Sequence, residues 1–145
     1  MTFRGILVRV IMKAQSFSPS YSHVYAALIA VINSKFPVIG ELLVRRLIIQ
    51  LQGFLRRDDV LSCVIPCKFI AHLLNQHVVH ESVVLEILLL LLRTPKDDSI
   101  EVAVGMLKDC GATLELLSPD GARGNFAGTS PLFHIMCMNK IFSCI

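Results

Sequence analysis

Two arginine pairs, Arg45-Arg46 and Arg56-Arg57, are the residues of this chain best placed to do chemistry, and they stand eleven positions apart. Eleven helical steps bring a side chain back to within about 20° of its starting direction, so on a continuous helix both pairs line one ridge. A ridge of guanidinium groups attracts anions, either RNA phosphates or an acidic protein. The competing reading is a solvated helix face on which Glu41 and Arg45 pair at i, i+4, a contact that contributes only a few tenths of a kcal/mol. No aromatic stacking platform of the kind that single-strand binders use accompanies these arginines.

The remaining reactive side chains do not assemble into a recognised centre. Cys63 and Cys67 are four apart and are followed by His72, His77 and His80, a pattern that would suit zinc if a second close cysteine pair existed. None does, so the cysteines read as small buried hydrophobes and no metal is expected. Cys110, Cys137 and Cys144 bring the total to five; an odd, widely spaced set is no disulfide framework and fits a reducing compartment. There is no phosphate-binding glycine loop and no nucleophile elbow. His80-Glu81 is an isolated acid-base pair. The chain therefore reads as a non-enzyme, with no catalytic residue and no cofactor.

Composition narrows the class further. With 145 residues, 54% hydrophobic and 17% charged, the chain is too apolar to be wholly disordered and is long enough for one domain or part of one. A mean hydropathy of +0.64 raises the membrane question. The longest stretch without a formal charge, Ala14 to Ser34, is interrupted by Pro19, His23, Asn33 and five serines. Its apolar heart is shorter than the roughly 20 residues needed to span a bilayer. The denser run Val83 to Leu92 carries Glu86 and reads as a helix buried on all sides. Arg4, Arg9 and Lys13 break any signal-peptide core, and their scatter around a helix argues against a presequence. Charge divides the chain: residues through Arg57 carry eight basic side chains against Glu41 alone, whereas Asp58 to Asp120 carry four basic and ten acidic.

The elements that must position these residues are helical. A first helix is predicted over Phe3 to Gln15. Ser18 then stands as N-cap before Pro19, and Val24, Leu28, Ile29 and Ile32 give a stripe. Pro37 starts a third helix reaching about Arg57, with Ile39, Leu43, Leu47 and Leu51 at four-residue steps. The next begins near Asp58 or Asp59, with Leu61, Ile65, Phe69 and Leu73 on one face and Pro66 forcing a kink or a late start. A fifth covers about His80 to Arg93, closed by Thr94-Pro95. The sixth opens with Asp98 and Glu101 at capping-box spacing, carries Ile100, Val104 and Leu107, and ends at Gly111. Every second start recurs after about 40 residues, the period of HEAT and armadillo helix pairs. The expected fold is all-α, a HEAT- or armadillo-like solenoid of antiparallel helix pairs, with a helical bundle as the alternative.

The stretches AQSFSPSYSHVYAAL (Ala14 to Leu28), INSKFPVIGELL (Ile32 to Leu43), KFIAHLLNQHVVHE (Lys68 to Glu81), LEILLLLLRTPKDDSIEVAVGMLKDCG (Leu85 to Gly111) and LSPDG (Leu117 to Gly121) resemble the middle domain of initiation factor 4G as it occurs in nucampholin-type pre-mRNA splicing factors. That resemblance implies a nuclear scaffold that binds a DEAD-box helicase, initiation factor 4A-III, alongside other spliceosome proteins, and supports splicing and exon junction complex assembly. It places the partner-binding site at Arg56, Arg57, Asp58 and Asp59, with Arg45, Arg46, Arg56 and Arg57 available to RNA or an acidic partner. The family's loop reads Arg-Arg-Asn-Asp-Lys where this chain has Arg56-Arg57-Asp58-Asp59-Val60, a local charge lower by about two, and like charges across an interface are costly. The expected division is residues 1–126 as a partial middle domain and 127–145, AGTSPLFHIMCMNKIFSCI, as a divergent tail in which the resemblance stops. A solenoid lacking polar end repeats would leave apolar surface open and self-associate. An RNA-binding, translation- or decay-related middle domain, and a truncated product without function, stay open as alternatives.

Overall fold

In the computed structural model, residues 3–93 and 96–117 are described; the expected tail at 127–145 lies outside them. Six helices account for most of these residues: α1 (Phe3–Phe17), α2 (Ser22–Lys35), α3 (Pro37–Arg56), α4 (Val64–Asn75), α5 (Glu81–Arg93) and α6 (Asp97–Leu117). Short 3-10 turns, Pro19–Tyr21 and Leu61–Cys63, lead into α2 and α4. Helices two apart in sequence stack on each other, α1 on α3 and α2 on α4 on α6, while α2–α3 and α5–α6 pack as hairpins. This is the two-layered HEAT-like solenoid that the 40-residue recurrence predicts.

Proline and left-handed stops set the helix ends. Phe36 is the single residue between α2 and α3, held at φ −135° and ψ 77° by the ring of Pro37. Gly40 packs closely nearby: a Cβ there would meet the Asn33 side chain, which would have to swing aside. Pro66 does give the late start: α4 begins at Val64, so the proline occupies the first turn, where its missing N–H would have been unpaired in any case. Two helices end in Schellman motifs without glycine. After α3, Asp58 N–H donates to Leu55 C=O and Asp59 N–H to Phe54 C=O; after α4, His77 N–H donates to Leu74 C=O and Val78 N–H to Leu73 C=O. Asp58 and His77 take the left-handed position at φ 58° and 55°.

The core runs through both layers. Ile39, Leu43, Leu47 and Leu51 of α3 are all buried, as their spacing predicts, and Phe69, Leu73, Leu88 and Leu91 join them. Three helices depart in part from the expected burial, although Ile29 and Ile32 of the α2 stripe do pack inward. On α2 the buried side chains are Ser22, Ala26 and Ile29, with Val24 and Leu28 52% and 48% exposed; a helix apolar on every side does not announce its inward face. On α5, Leu89 and Leu90 share the outer surface with Glu86, so the helix is amphipathic and is not buried all round. On α6, Val102, Ala103, Met106, Cys110 and Leu114 are the buried apolar side chains; of the expected Ile100, Val104 and Leu107, Leu107 packs half-buried against the core. Leu61, expected on the inner face of the fourth helix, is exposed in the preceding turn.

Caps differ as well. Ser18 makes no side-chain cap bond. The start of α6 is closed by Ser99, whose Oγ accepts from Lys96 N–H at 2.9 Å, taking the reciprocal half of a capping box two residues upstream of the expected one. Gly111 does not end α6, which continues to Leu117; the space a Cβ would take is open, and a mid-helix glycine costs only about 1 kcal/mol.

Polar side chains pin the layers together. Gln15, 1% exposed, donates through Nε2 to Ser22 Oγ at 3.0 Å and to Ile65 C=O at 3.2 Å. Ser22 Oγ in turn donates to Pro19 C=O at 2.6 Å, so one buried amide joins α1, α2 and α4. Asn75 does the same between α4 and α6: Nδ2 donates to Asp109 C=O and Oδ1 accepts from Thr113 Oγ1, both at 2.7 Å.

Candidate partner-binding surface

The bend between α3 and α4 carries the four residues that the resemblance assigns to partner binding. α3 runs unbroken through Arg45, Arg46 and Arg56, and Arg57 is its C-cap. Arg56, Arg57, Asp58 and Asp59 are all exposed, and the bend is fixed by its own bonds. The Schellman pair holds the backbone, Asp59 Oδ1 accepts from Ser62 N–H at 3.3 Å, and the Arg57 guanidinium lies 5.2 Å from the centre of the Phe54 ring. An aromatic therefore does accompany this arginine, three residues back in the chain.

Asp58 has a partner that local sequence does not show. Lys96, at the mouth of α6, places Nζ 2.5 and 2.6 Å from the two carboxylate oxygens of Asp58. A cation thus stands at the bend although position 60 holds valine. Val60 itself is buried, 8% exposed, and belongs to the core under the bend. Only the 38-residue contact across the fold reveals Lys96; the signal available in sequence was a lone lysine ahead of a helix start.

The other arginine pair divides. Arg45 Nη2 lies 3.0 Å from Glu41 Oε1 with both side chains exposed, the i, i+4 pair anticipated from sequence. Arg46 turns the other way and donates from Nη1 to Gly5 C=O at 2.8 Å. That bond ties α3 to α1 and carries Arg46 into a groove with Arg9, Met12, Lys13, Ser16 and Gln50.

The thiols sit inside. Cys63, Cys67 and Cys110 are free and buried. Burial raises Cys63 to about 11, with Asp59 adding to the effect. Burial, then Cys63 and Cys110 nearby, raises Cys67 to about 12, and burial with Asp109 raises Cys110 to about 12. These are neutral core thiols at physiological pH. Cys137 and Cys144 lie outside the described residues. His72 stands edge-on to His23 with ring centroids 6.0 Å apart; burial lowers its pKa against the opposing pull of Asp109. Among the described residues no cluster of three or more His, Cys, Asp or Glu side chains could hold a metal, and no helix is long and apolar enough to cross a membrane.

The MIF4G domain model matches residues 2–130. The chain belongs to the MIF4G domain family. Among curated MIF4G-containing relatives, it is 51% identical over 131 residues to the human pre-mRNA-splicing factor CWC22 homolog, which covers 90% of this chain and 14% of the human protein. The Drosophila melanogaster CWC22 homolog is 50% identical over the same share of the chain and 10% of its own length. The Caenorhabditis briggsae protein is 58% identical over 116 residues, 80% of the chain and 12% of the relative. The chain thus spans about a seventh or less of these splicing factors, at a level of identity that bears out the nucampholin-type resemblance, and their MIF4G segment accounts for the helix-pair architecture.

Proposed function

We propose that this chain is a non-catalytic scaffold segment of a nuclear pre-mRNA splicing factor. It docks the core of the DEAD-box helicase initiation factor 4A-III through Arg56, Arg57, Asp58 and Asp59, among other spliceosome proteins, for splicing and exon junction complex assembly. The observation that carries the reading is the bend itself, four charged side chains exposed on a backbone locked by a Schellman motif, in a chain half identical to splicing factors over most of its length. A preorganised charged bend loses little conformational entropy when it binds. Lys96 supports the reading by balancing Asp58, which restores a cation where the family's loop has lysine.

The test is a pull-down of the purified helicase core by the wild-type chain, by Arg56→Glu with Arg57→Glu, and by Asp58→Asn. Wild type and D58N are expected to capture the helicase, and the double charge reversal to lose it. Absence of binding by all three chains sinks the helicase role. Val60→Lys is unsuitable as a restoring change, because it would thrust a charge into the core.

A further inference from the structure

The first end of the helix stack carries an apolar cleft that no described element covers. It encloses about 400 Å³ between the start of α1, the end of α2 and the start of α3. Leu7 and Ile32 line it and pack half-buried against the core. Phe3, Val31 and Phe36 line it too and are 77%, 69% and 60% exposed. Its charged members are Arg4 and Lys35. Large apolar side chains gathered this closely in water mark a contact surface.

The end of α6 lies on the same side of the molecule. Asn75, the last residue of α4, bonds the Asp109 carbonyl and the Thr113 hydroxyl near the end of α6. Val78, just past α4, meets the space in front of Gly40 together with Asn33 of α2. The C-terminal ends of α2, α4 and α6 therefore stand side by side. At about 8–10 Å between neighbouring axes, Leu117 is roughly 20–30 Å from the cleft. Residues 118–130 can bridge about 40 Å when extended, so the segment beyond them can reach it while α6 stays intact.

The sequence of that segment suits the cleft. Residues 131–145, PLFHIMCMNKIFSCI, hold no acid and a single lysine, and they lie beyond the stretch that the MIF4G domain model matches. Ser130-Pro131 is a helix-start pair. On a helix beginning there, Leu132, Ile135, Met138, Phe142 and Ile145 share one side and Lys140 takes the opposite one. No cation on that seam meets Arg4 or Lys35. A tethered segment acts at an effective concentration of about a millimolar, above that of a second copy in dilute solution, which decides the occupant in favour of the chain's own residues.

We propose that residues 131–145 dock in cis on the α1–α2–α3 cleft as an apolar helix and close the first end of the solenoid. The contact is separate from the α3–α4 bend and stands or falls independently of the helicase reading.

The experiment is cross-linking of the full chain, at low protein concentration, with a short bismaleimide. Cys137→Ser and Cys144→Ser leave Met138→Cys as the tail's one thiol, and Cys63, Cys67 and Cys110 are buried. Phe36→Cys places the second thiol on the cleft, and Ile49→Cys, 62% exposed on α3, serves as the control, about 20 Å further along the helix. Peptide mapping should find the F36C–M138C link within one chain, at a yield about fivefold or more above I49C–M138C. Val31→Glu in the otherwise unaltered chain should speed tryptic cleavage after Lys140 about tenfold, because a docked segment is cut only when it opens. Phe36, Ile49 and Val31 are all exposed, so unchanged circular dichroism and melting temperature will show that the fold survives. Equal yields from F36C and I49C, or no link from either, overturn the proposal. So does a V31E chain cleaved at the wild-type rate. A link joining two chains, with a mass that rises with concentration in light scattering, assigns the cleft to a second copy and rejects docking in cis.

Discussion

Replacing Gln15 tests whether buried polarity, and not only apolar packing, fastens the first helix to the rest. Its amide makes two hydrogen bonds, at 3.0 Å to Ser22 Oγ and 3.2 Å to Ile65 C=O, from a position with almost no solvent contact. Gln15→Met conserves volume and removes both bonds; at about 1 kcal/mol each, with the oxygens left facing a thioether, the loss should be about 2 kcal/mol. Gln15→Ala adds a cavity and should cost about 3 kcal/mol or more. Gln15→Glu supplies an internal control. A carboxylate aimed at the Ile65 carbonyl is repelled and desolvated, so its folded pKa rises above the unfolded value near 4.3. The unfolded chain then releases its proton first, and the deficit of Q15E relative to wild type grows as pH rises above about 4.3 until the folded pKa is passed. Urea denaturation followed by circular dichroism, repeated across mildly acid to neutral pH, measures all three. A Q15M chain within about 0.5 kcal/mol of wild type, or a Q15E deficit that does not change with pH, would refute the assignment of this amide as the fastening between α1, α2 and α4.

Two other outcomes follow from the core. Because Cys63, Cys67 and Cys110 titrate near 11, 12 and 12 in the fold, they should leave stability flat at neutral pH and lower it as pH rises past about 9, where the unfolded thiols ionise first; iodoacetamide at neutral pH should leave these three peptides unmodified by mass spectrometry until denaturant is added. Leu43→Ala should cost about 2–5 kcal/mol in urea melts, whereas Leu28→Ser, expected inside from sequence but exposed in the fold, should change stability by about 0.5 kcal/mol or less.

The helix count and stacking were legible because prolines and acids punctuate the chain and the starts recur with a fixed period. The inward face was legible only where polar residues interrupt the apolar ones. Along α3, Glu41, Arg45 and Gln52 mark the outside, so Leu43 and Leu47 could be placed with no structure at all. Along α2 almost every residue after His23 is apolar, and the packed side turned out to hold Ser22 and Ala26, small residues that let helices approach closely. Gly111 misled for a related reason: glycine favours a helix end only where the backbone must turn left-handed, and the fold gives those positions to Asp58 and His77. At the surface, local spacing found the charged bend and the Glu41–Arg45 pair. It could not find Lys96 against Asp58 or Arg46 beside Arg9 and Lys13, since these contacts span 38 and more than 30 residues and exist only once the helices stack.

α4 is the inner plank of this stack, touched by α1, α2, α3, α5 and α6, with Pro66, Cys67, Phe69, Ile70, Ala71, Leu73 and Leu74 all enclosed. A segment hemmed in on so many sides has little room to drift, because a volume change that suits one neighbour offends another. The outer helices answer to fewer neighbours. New binding specificities in this architecture are therefore most cheaply invented on α1, α3 and the α5–α6 edge, while α4 keeps the register that lets such inventions share one frame.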